Sequence, residues 1–374
     1  MLRPTSISVG MLVAVPALAA CLSVGYGLGT LRPQGRPVPD DVRTARIVRG
    51  ADRFSKQSFY TSPDLGLMTD IQLQNHEVEI VGERGAVFLK NDATVDKYIR
   101  FRACVSNVVA VRLETGSFLC RGAWAGSAFL FDSAGRTVWS YAGEGEGGAV
   151  DDAAAGRLGP SGIEGVVVGL NGGGGVRWIG LDGKTLWKQD DGNVWHVELA
   201  AADDKSGNVI VHSNAAGKLT VRDAEGKVLG NYTPEVYLAQ FALTAWGDSP
   251  RLNKIVTSSE DSIYILSMDG KTVARLPAPG NADIAETSGT LVHFTGHTPY
   301  YAGLLRHRLW NRSLLYIYDD RNQITYQEVL SEDCASMHAV PSSSDGDELL
   351  LGCKGEVWKY SPRTGSDSAA GHGL

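Results

Sequence analysis

Apolar and polar positions alternate along most of this chain in short bursts, and the bursts recur. An apolar strand leads into a tight polar turn carrying Gly, and a second apolar strand follows. The phrase reads Ala128–Phe131 with Asp132, Gly135 and Val138-Trp139, then Trp178-Ile179 with Asp182-Gly183 and Leu186-Trp187. It returns as Leu219–Val221 with Asp223 and Gly226, and as Ile263–Leu266 with Asp269-Gly270 and Val273. Looser copies are Leu314–Tyr318 with Asp320 and Asn322, and Val357–Tyr360 with Pro362 and Gly365. The turn positions 135, 183, 226, 270, 322 and 365 lie 48, 43, 44, 52 and 43 residues apart. A period of about 40–50 residues built only of short strands predicts an all-β chain, a β-propeller with one four-stranded blade per repeat.

Reading each unit backwards from its turn places the strands. One blade has Val194–Ala200 innermost, then Val209–His212, Lys218–Arg222 and Val228–Tyr232. The next has Tyr237–Thr244, Lys254–Thr257, Ser262–Ser267 and Thr272–Leu276, and the one after it Thr290–Phe294, Tyr300–Arg306, Ser313–Tyr318 and Ile324–Val329. The last has only Met337–Val340, Glu348–Gly352 and Glu356–Tyr360. An unpaired sheet edge invites aggregation, so an N-terminal strand is expected to complete this blade and close the ring. Glu77–Val81 and Ala86–Leu89 are the expected donors. They also read as a hairpin around Gly85, which leaves the count at six or seven blades.

The N-terminus departs from the repeat. After Arg3, no charge occurs between Pro4 and Thr30, so residues 1–31 read as an export signal or a signal anchor. Leu18-Ala19-Ala20-Cys21 resembles the bacterial lipobox, in which the cysteine is acylated. The apolar run continues past Cys21 to Leu31, longer than the ~20 residues that span a bilayer, which suits an uncleaved anchor equally. Both readings place the domain in the cell envelope, outside the cytoplasm and tethered to a membrane. Residues 32–50, with Pro33, Pro37 and Pro39, read as an extended tether, and residues 51–374 as the propeller.

Composition adds exclusions. A net charge of −7 and a pI near 5.6 argue against a nucleic-acid surface, which needs concentrated Lys and Arg. The 45 glycines suit a fold that turns at nearly every strand end. Besides Cys21 there are four cysteines. Pairing Cys104 with Cys120 and Cys334 with Cys353 would join neighbouring strands within a blade, as an oxidising compartment permits.

Two repeat families resemble the pattern over roughly residues 125–365. Gly165–Gly169 and Asp345–Gly352 are similar to the FG-GAP/VCBS type of extracellular propeller repeat. The Trp-bearing strands Thr137–Trp139 and Thr185–Trp187 are similar to the quinoprotein-like (PQQ-like) repeat. The first resemblance implies calcium, held by carboxylates of a tight loop; the equivalent places here carry Asp203, Asp345 and Asp347, each with a carboxylate missing from the full set. The second implies a quinone cofactor, but no cluster of ligands and cationic groups supports one, and no cofactor is predicted.

The sharpest candidate chemistry is a set of histidines. His196, His293 and His338 lie 30, 29 and 27 residues before their turn markers, at near-equivalent places on three innermost strands. Such strands line the axial channel, where imidazoles can bind a metal or move a proton. Glu198 and Gln240 are their polar companions. Polar residues facing a water-filled channel explain the same pattern without chemistry. Gly-Lys-Thr at Gly183–Thr185 and Gly270–Thr272 lacks the earlier glycine of a phosphate loop and reads as hairpin turn. The expected role is therefore a binding or scaffolding module with a protein or glycan partner, ahead of an enzyme working in the channel.

Overall fold

The computed structural model describes residues 43–374, except 75–76, 91–92, 102–108, 123–125, 144–147, 191, 203–206, 280–285, 295–297, 308–311, 343–345 and 364–374. Among the described residues, twenty-nine strands and one short 3-10 turn (Pro63–Leu65) make up the regular structure. Strands β1 (Arg46–Arg49) and β2 (Phe54–Thr61) precede the first blade. Blade one is β3 (Met68–Gln74), β4 (Glu77–Gly82), β5 (Gly85–Leu89) and β6 (Val95–Arg100). Blade two is β7 (Val109–Arg112), β8 (Phe118–Arg121), β9 (Ala128–Phe131) and β10 (Thr137–Tyr141). Blade three is β11 (Val150–Leu158), β12 (Ile163–Leu170), β13 (Gly175–Gly180) and β14 (Thr185–Gln189). Blade four is β15 (Val194–Ala201), β16 (Asn208–Asn214), β17 (Leu219–Arg222) and β18 (Val228–Tyr232). Blade five is β19 (Ala242–Trp246), β20 (Ser249–Ser259), β21 (Ser262–Leu266) and β22 (Thr272–Pro277). Blade six is β23 (Glu286–Val292), β24 (Tyr300–His307), β25 (Arg312–Tyr318) and β26 (Ile324–Val329), with β1 added outside β26. Blade seven is β27 (Cys334–Pro341), β28 (Asp347–Cys353) and β29 (Glu356–Pro362), completed by β2.

The fold is therefore a seven-bladed propeller closed by an N-terminal strand, but the donor differs from the expected one. Strand β2 pairs antiparallel with β29, from Phe54↔Pro362 to Thr61↔Glu356. Glu77–Val81 and Ala86–Leu89 instead fall in β4 and β5, the middle strands of a complete blade. Burial explains the swap. Strands β4 and β5 are buried along nearly their whole length, as central strands must be, whereas β2 is half exposed and carries little apolar signal. Blade one also escapes the glycine count because Ala93 holds the positive-φ place of its outer turn, at φ 60. Within the stretch read as tether, Arg46–Arg49 forms β1 and pairs with β26, all four residues remaining exposed.

The hydrophobic core lies between blades. Blades one and seven share Met68, Ile80, Val87, Leu350 and Val357, and blades six and seven share Phe54, Leu304, Tyr326, Leu349 and Tyr360. Each sheet covers its neighbour's apolar face, which is why no blade is expected to hold alone. Cys334 and Cys353 face each other across β27 and β28 and form a disulfide. Cys120 is buried on β8, while its expected partner Cys104 lies outside the described residues.

Candidate functional site in the axial channel

Innermost strands carry the residues that face the axis, and four of them are bulged near their N-terminal ends. Register breaks occur between Met68 and Asp70, Val150 and Asp152, Val194 and His196, and Cys334 and Ser336. A bulge re-aims the side chain beside it, and bulges concentrate where a sheet meets a site. Asp70, Asp152, His196 and Ser336 each follow one directly.

Two cavities occupy the channel region. A narrow one of about 150 Å³ is bordered by Arg121, His196, Glu198, Gln240, Glu286 and Arg306, contributed by four blades. A wider one of about 840 Å³ is bordered by Asp70, Leu243, Leu291, His293, Met337 and His338 among others. Thr69, Ser288 and Ala335 border both, so the two are contiguous. On β23, Glu286 and Thr287 border only the narrow cavity, whereas Gly289–Leu291 border only the wide one. The narrow cavity therefore sits at the N-terminal ends of the inner strands.

His196 is the best-positioned group in the narrow cavity. Its Nδ1 stands 2.6 Å from Oδ2 of Asp152, on the inner strand of the preceding blade. The Asp152 carboxylate is itself held by Nε of Arg121 at 2.6 Å and by the backbone N–H groups of Ala153 and Val197, each at 2.9 Å. Phe241 meets the imidazole edge-on, with ring centroids 4.5 Å apart. The ring is thus fixed from blades three and five as well as its own. Nε2 makes no hydrogen bond and stands 3.5 Å from Oε1 of Glu198. Period-two alternation along β15 puts His196 and Glu198 on the same face.

Electrostatics follow from this packing. Burial works against a charge on His196, but Asp152 and then Glu198 outweigh it and push its pKa up to about 9. The imidazole is therefore protonated near neutral pH. Burial likewise opposes ionisation of Asp152, yet Arg121 and His196 hold its carboxyl below the usual range. Across the cavity, Arg306 is fully engaged, with Glu286 at 2.6 Å and a two-pronged contact to Asp333. Burial raises Asp70, in the wide cavity, to about 6 despite hydrogen bonds from Gln72 and the Arg112 N–H.

The three histidines singled out by spacing do not share one place. His196 borders the narrow cavity, and His293 and His338 border the wide one. His338 lies on β27, where burial lowers its pKa, while His293 follows the end of β23 and is half exposed. Asp347, one of the candidate calcium ligands, accepts the His293 backbone N–H at 2.9 Å and stands 3.6 Å from the ring's Nδ1. Asp203, Asp345 and Cys21 lie outside the described residues. Among the described residues, no group of three or more His, Cys, Asp or Glu side chains is placed to hold a metal ion.

Glu198 and Gln240, the polar companions named with the histidines, line the cavity with His196. Sequence reasoning missed Asp152, Arg121, Glu286 and Arg306. Asp152 carried a usable signal: it stands 31 residues before Gly183, nearly the offset that marks His196. The two arginines lie on second strands and reach the channel by side-chain length, which spacing does not encode.

No protein-family model matches the chain, and no curated protein matches it in sequence. Solved propeller structures do resemble it. A streptogramin B lyase shares 13 % identity at a TM-score of 0.57, covering 84 % of this chain and 99 % of its own. A virginiamycin B lyase from Staphylococcus aureus shares 12 % identity at a TM-score of 0.56, covering 82 % and 99 %. BBS1N, solved in complex with ARL6DN, shares 12 % identity at a TM-score of 0.56, covering 82 % and 96 %. Identities this low show the fold alone, and the neighbours themselves divide between an enzyme and a partner in a protein complex.

Proposed function

We propose that this chain is an exported, membrane-tethered β-propeller that works as a binding module, taking a small polar ligand or the tip of a larger protein or glycan into its axial channel. The observation that carries this reading is the channel itself. A cavity of about 840 Å³ adjoins a second one bordered by charged side chains, and a pocket with a few convergent polar groups is the usual form of a ligand site. The Cys334–Cys353 disulfide agrees with an oxidising compartment. Membrane fractionation of the full chain checks the tether, which recovery in the soluble fraction would contradict.

The channel is tested by plugging it. Ala335 borders both cavities, so Ala335→Trp fills the passage between them. A panel of small amines, acids and sugars is screened by thermal shift on the full chain. Molecules that raise the melting temperature of the parent are expected to lose that effect in the variant. A ligand at 100 times its Kd adds about 2.7 kcal/mol of stability, well within reach of this assay. Shifts that persist in the plugged protein, or a panel with no shifts at all, would reject the channel as the site.

A second reading, proton transfer to a bound substrate, is favoured by the His196–Asp152 pair. A buried carboxylate orients the imidazole and leaves its other nitrogen without a partner in a residue that lines the cavity, an arrangement suited to a general acid.

A further inference from the structure

We infer that the narrow end of the channel recognises an ammonium group lying beside a hydroxyl, the pattern of an amino alcohol or amino sugar. This inference rests on the channel being the ligand site and adds the chemistry of what enters it.

Two neighbouring groups carry the assignment. His196 lines the cavity with a side chain only 10 % exposed, and its Nε2 is buried without a hydrogen-bond partner. A buried polar nitrogen in that state costs free energy until something accepts from it. Because Asp152 holds the ring's other nitrogen, Nε2 carries its hydrogen outward and calls for a lone-pair acceptor such as a hydroxyl oxygen. Glu198 is the second group. Its carboxylate is about one-third exposed, and its approach to His196 at 3.5 Å is longer than a good charge-assisted hydrogen bond. It therefore keeps acceptor capacity toward the cavity, and an ammonium group supplies the matching donors. The two side chains sit two residues apart on one strand face, so donor and acceptor are presented side by side.

The rest of the wall fits the same guest. Arg306 is matched by Asp333 and Glu286, and Arg121 turns its Nε to the Asp152 carboxylate, so both guanidiniums lie against carboxylates of the protein. Glu286 adds a further carboxylate to the lining. Gln240, from the neighbouring blade, offers an amide that can donate or accept. A carboxylate or phosphate ligand reaching for His196 would meet the Glu198 carboxylate beside it.

Isothermal titration calorimetry on the full chain tests this with four probes: glucosamine, glucose, N-acetylglucosamine and citrate, at mildly acidic pH where the amine is charged. Glucosamine is expected to bind at least about tenfold more tightly than the two neutral sugars, the worth of one charge-assisted hydrogen bond. Glu198→Gln should reduce that preference to near parity, and His196→Gln should weaken glucosamine and glucose alike. Glu198 is partly exposed, so its variant is expected to keep the parent melting temperature, which is checked alongside. Equal affinity for glucosamine and glucose, tighter binding of citrate, an unchanged preference in Glu198→Gln, or no binding of glucosamine would each overturn the inference. If other molecules bind and Ala335→Trp abolishes their binding, the channel reading survives that failure on its own.

Discussion

The turn residues that reveal the repeat also explain why it is readable. Asp132 accepts the backbone N–H groups of Ala134 and Arg136 at 2.9 Å each, and Gly135 then takes φ 75, a left-handed conformation that a side chain resists. Asp319 repeats the arrangement with Asn322 at φ 61, so the looser copy differs in chemistry and not in geometry. Local hydrogen bonding writes these positions into the sequence; the site residues have no such local signature. His196 owes its state to Asp152 on another blade, and this coupling predicts a pH dependence. Its pKa is raised from 6.5 to about 9 in the fold, so the stability it contributes is complete below about pH 6.5 and is lost as pH rises through about 9. The loss is on the order of 3 kcal/mol if the unfolded chain titrates normally. Urea unfolding at a series of pH values should show this decline in the parent and a flatter profile in His196→Gln. An identical decline in the variant would assign the effect elsewhere.

Strands were legible in proportion to how fully they are buried. The central strand β25 is a continuous apolar run over Leu314–Tyr318, and the pattern places it correctly. Inner strand β23 was placed too late, because its Thr287, Ser288 and Gly289 face the channel side and carry no apolar signal. Strand β2 was missed for the same reason at the rim, although it closes the ring. Its closure is secured by one buried cluster. Lys56 on β2 meets Oε1 of Glu328 on β26 at 2.7 Å, and the hydroxyls of Tyr326 and Tyr360 donate to Oε2 of the same carboxylate at 2.8 Å each. Glu328→Ala strands a charge and two hydroxyls in the interior, and is expected to cost about 3–5 kcal/mol. Deleting β1, whose residues are all exposed, should cost far less. Comparable losses from the two changes, measured by chemical denaturation, would contradict this account of ring closure.

The described residues form a closed ring of seven small sheets, and the ring does two things for function. It buries apolar faces between blades, which frees the innermost strands to carry polar and charged residues. It also brings together, at the axis, side chains more than 200 residues apart in sequence, from Thr69 to Ala335. The fold was legible because it repeats; the channel chemistry was only half legible because it is assembled across blades. His196 could be read from its offset, with Glu198 and Gln240 as its polar companions, while Arg121 and Arg306 appear only once the ring is closed. The account's central claim is that His196 is held charged by Asp152 and points at a ligand. The most direct test is the imidazole spectrum of histidine-labelled protein by NMR, followed through a pH titration and then through addition of glucosamine. His196 should titrate near pH 9 and shift when glucosamine is added, while His212, held down to about 4 by burial, stays unmoved by the sugar. A His196 that titrates near its ordinary value and ignores every ligand that binds would contradict the account.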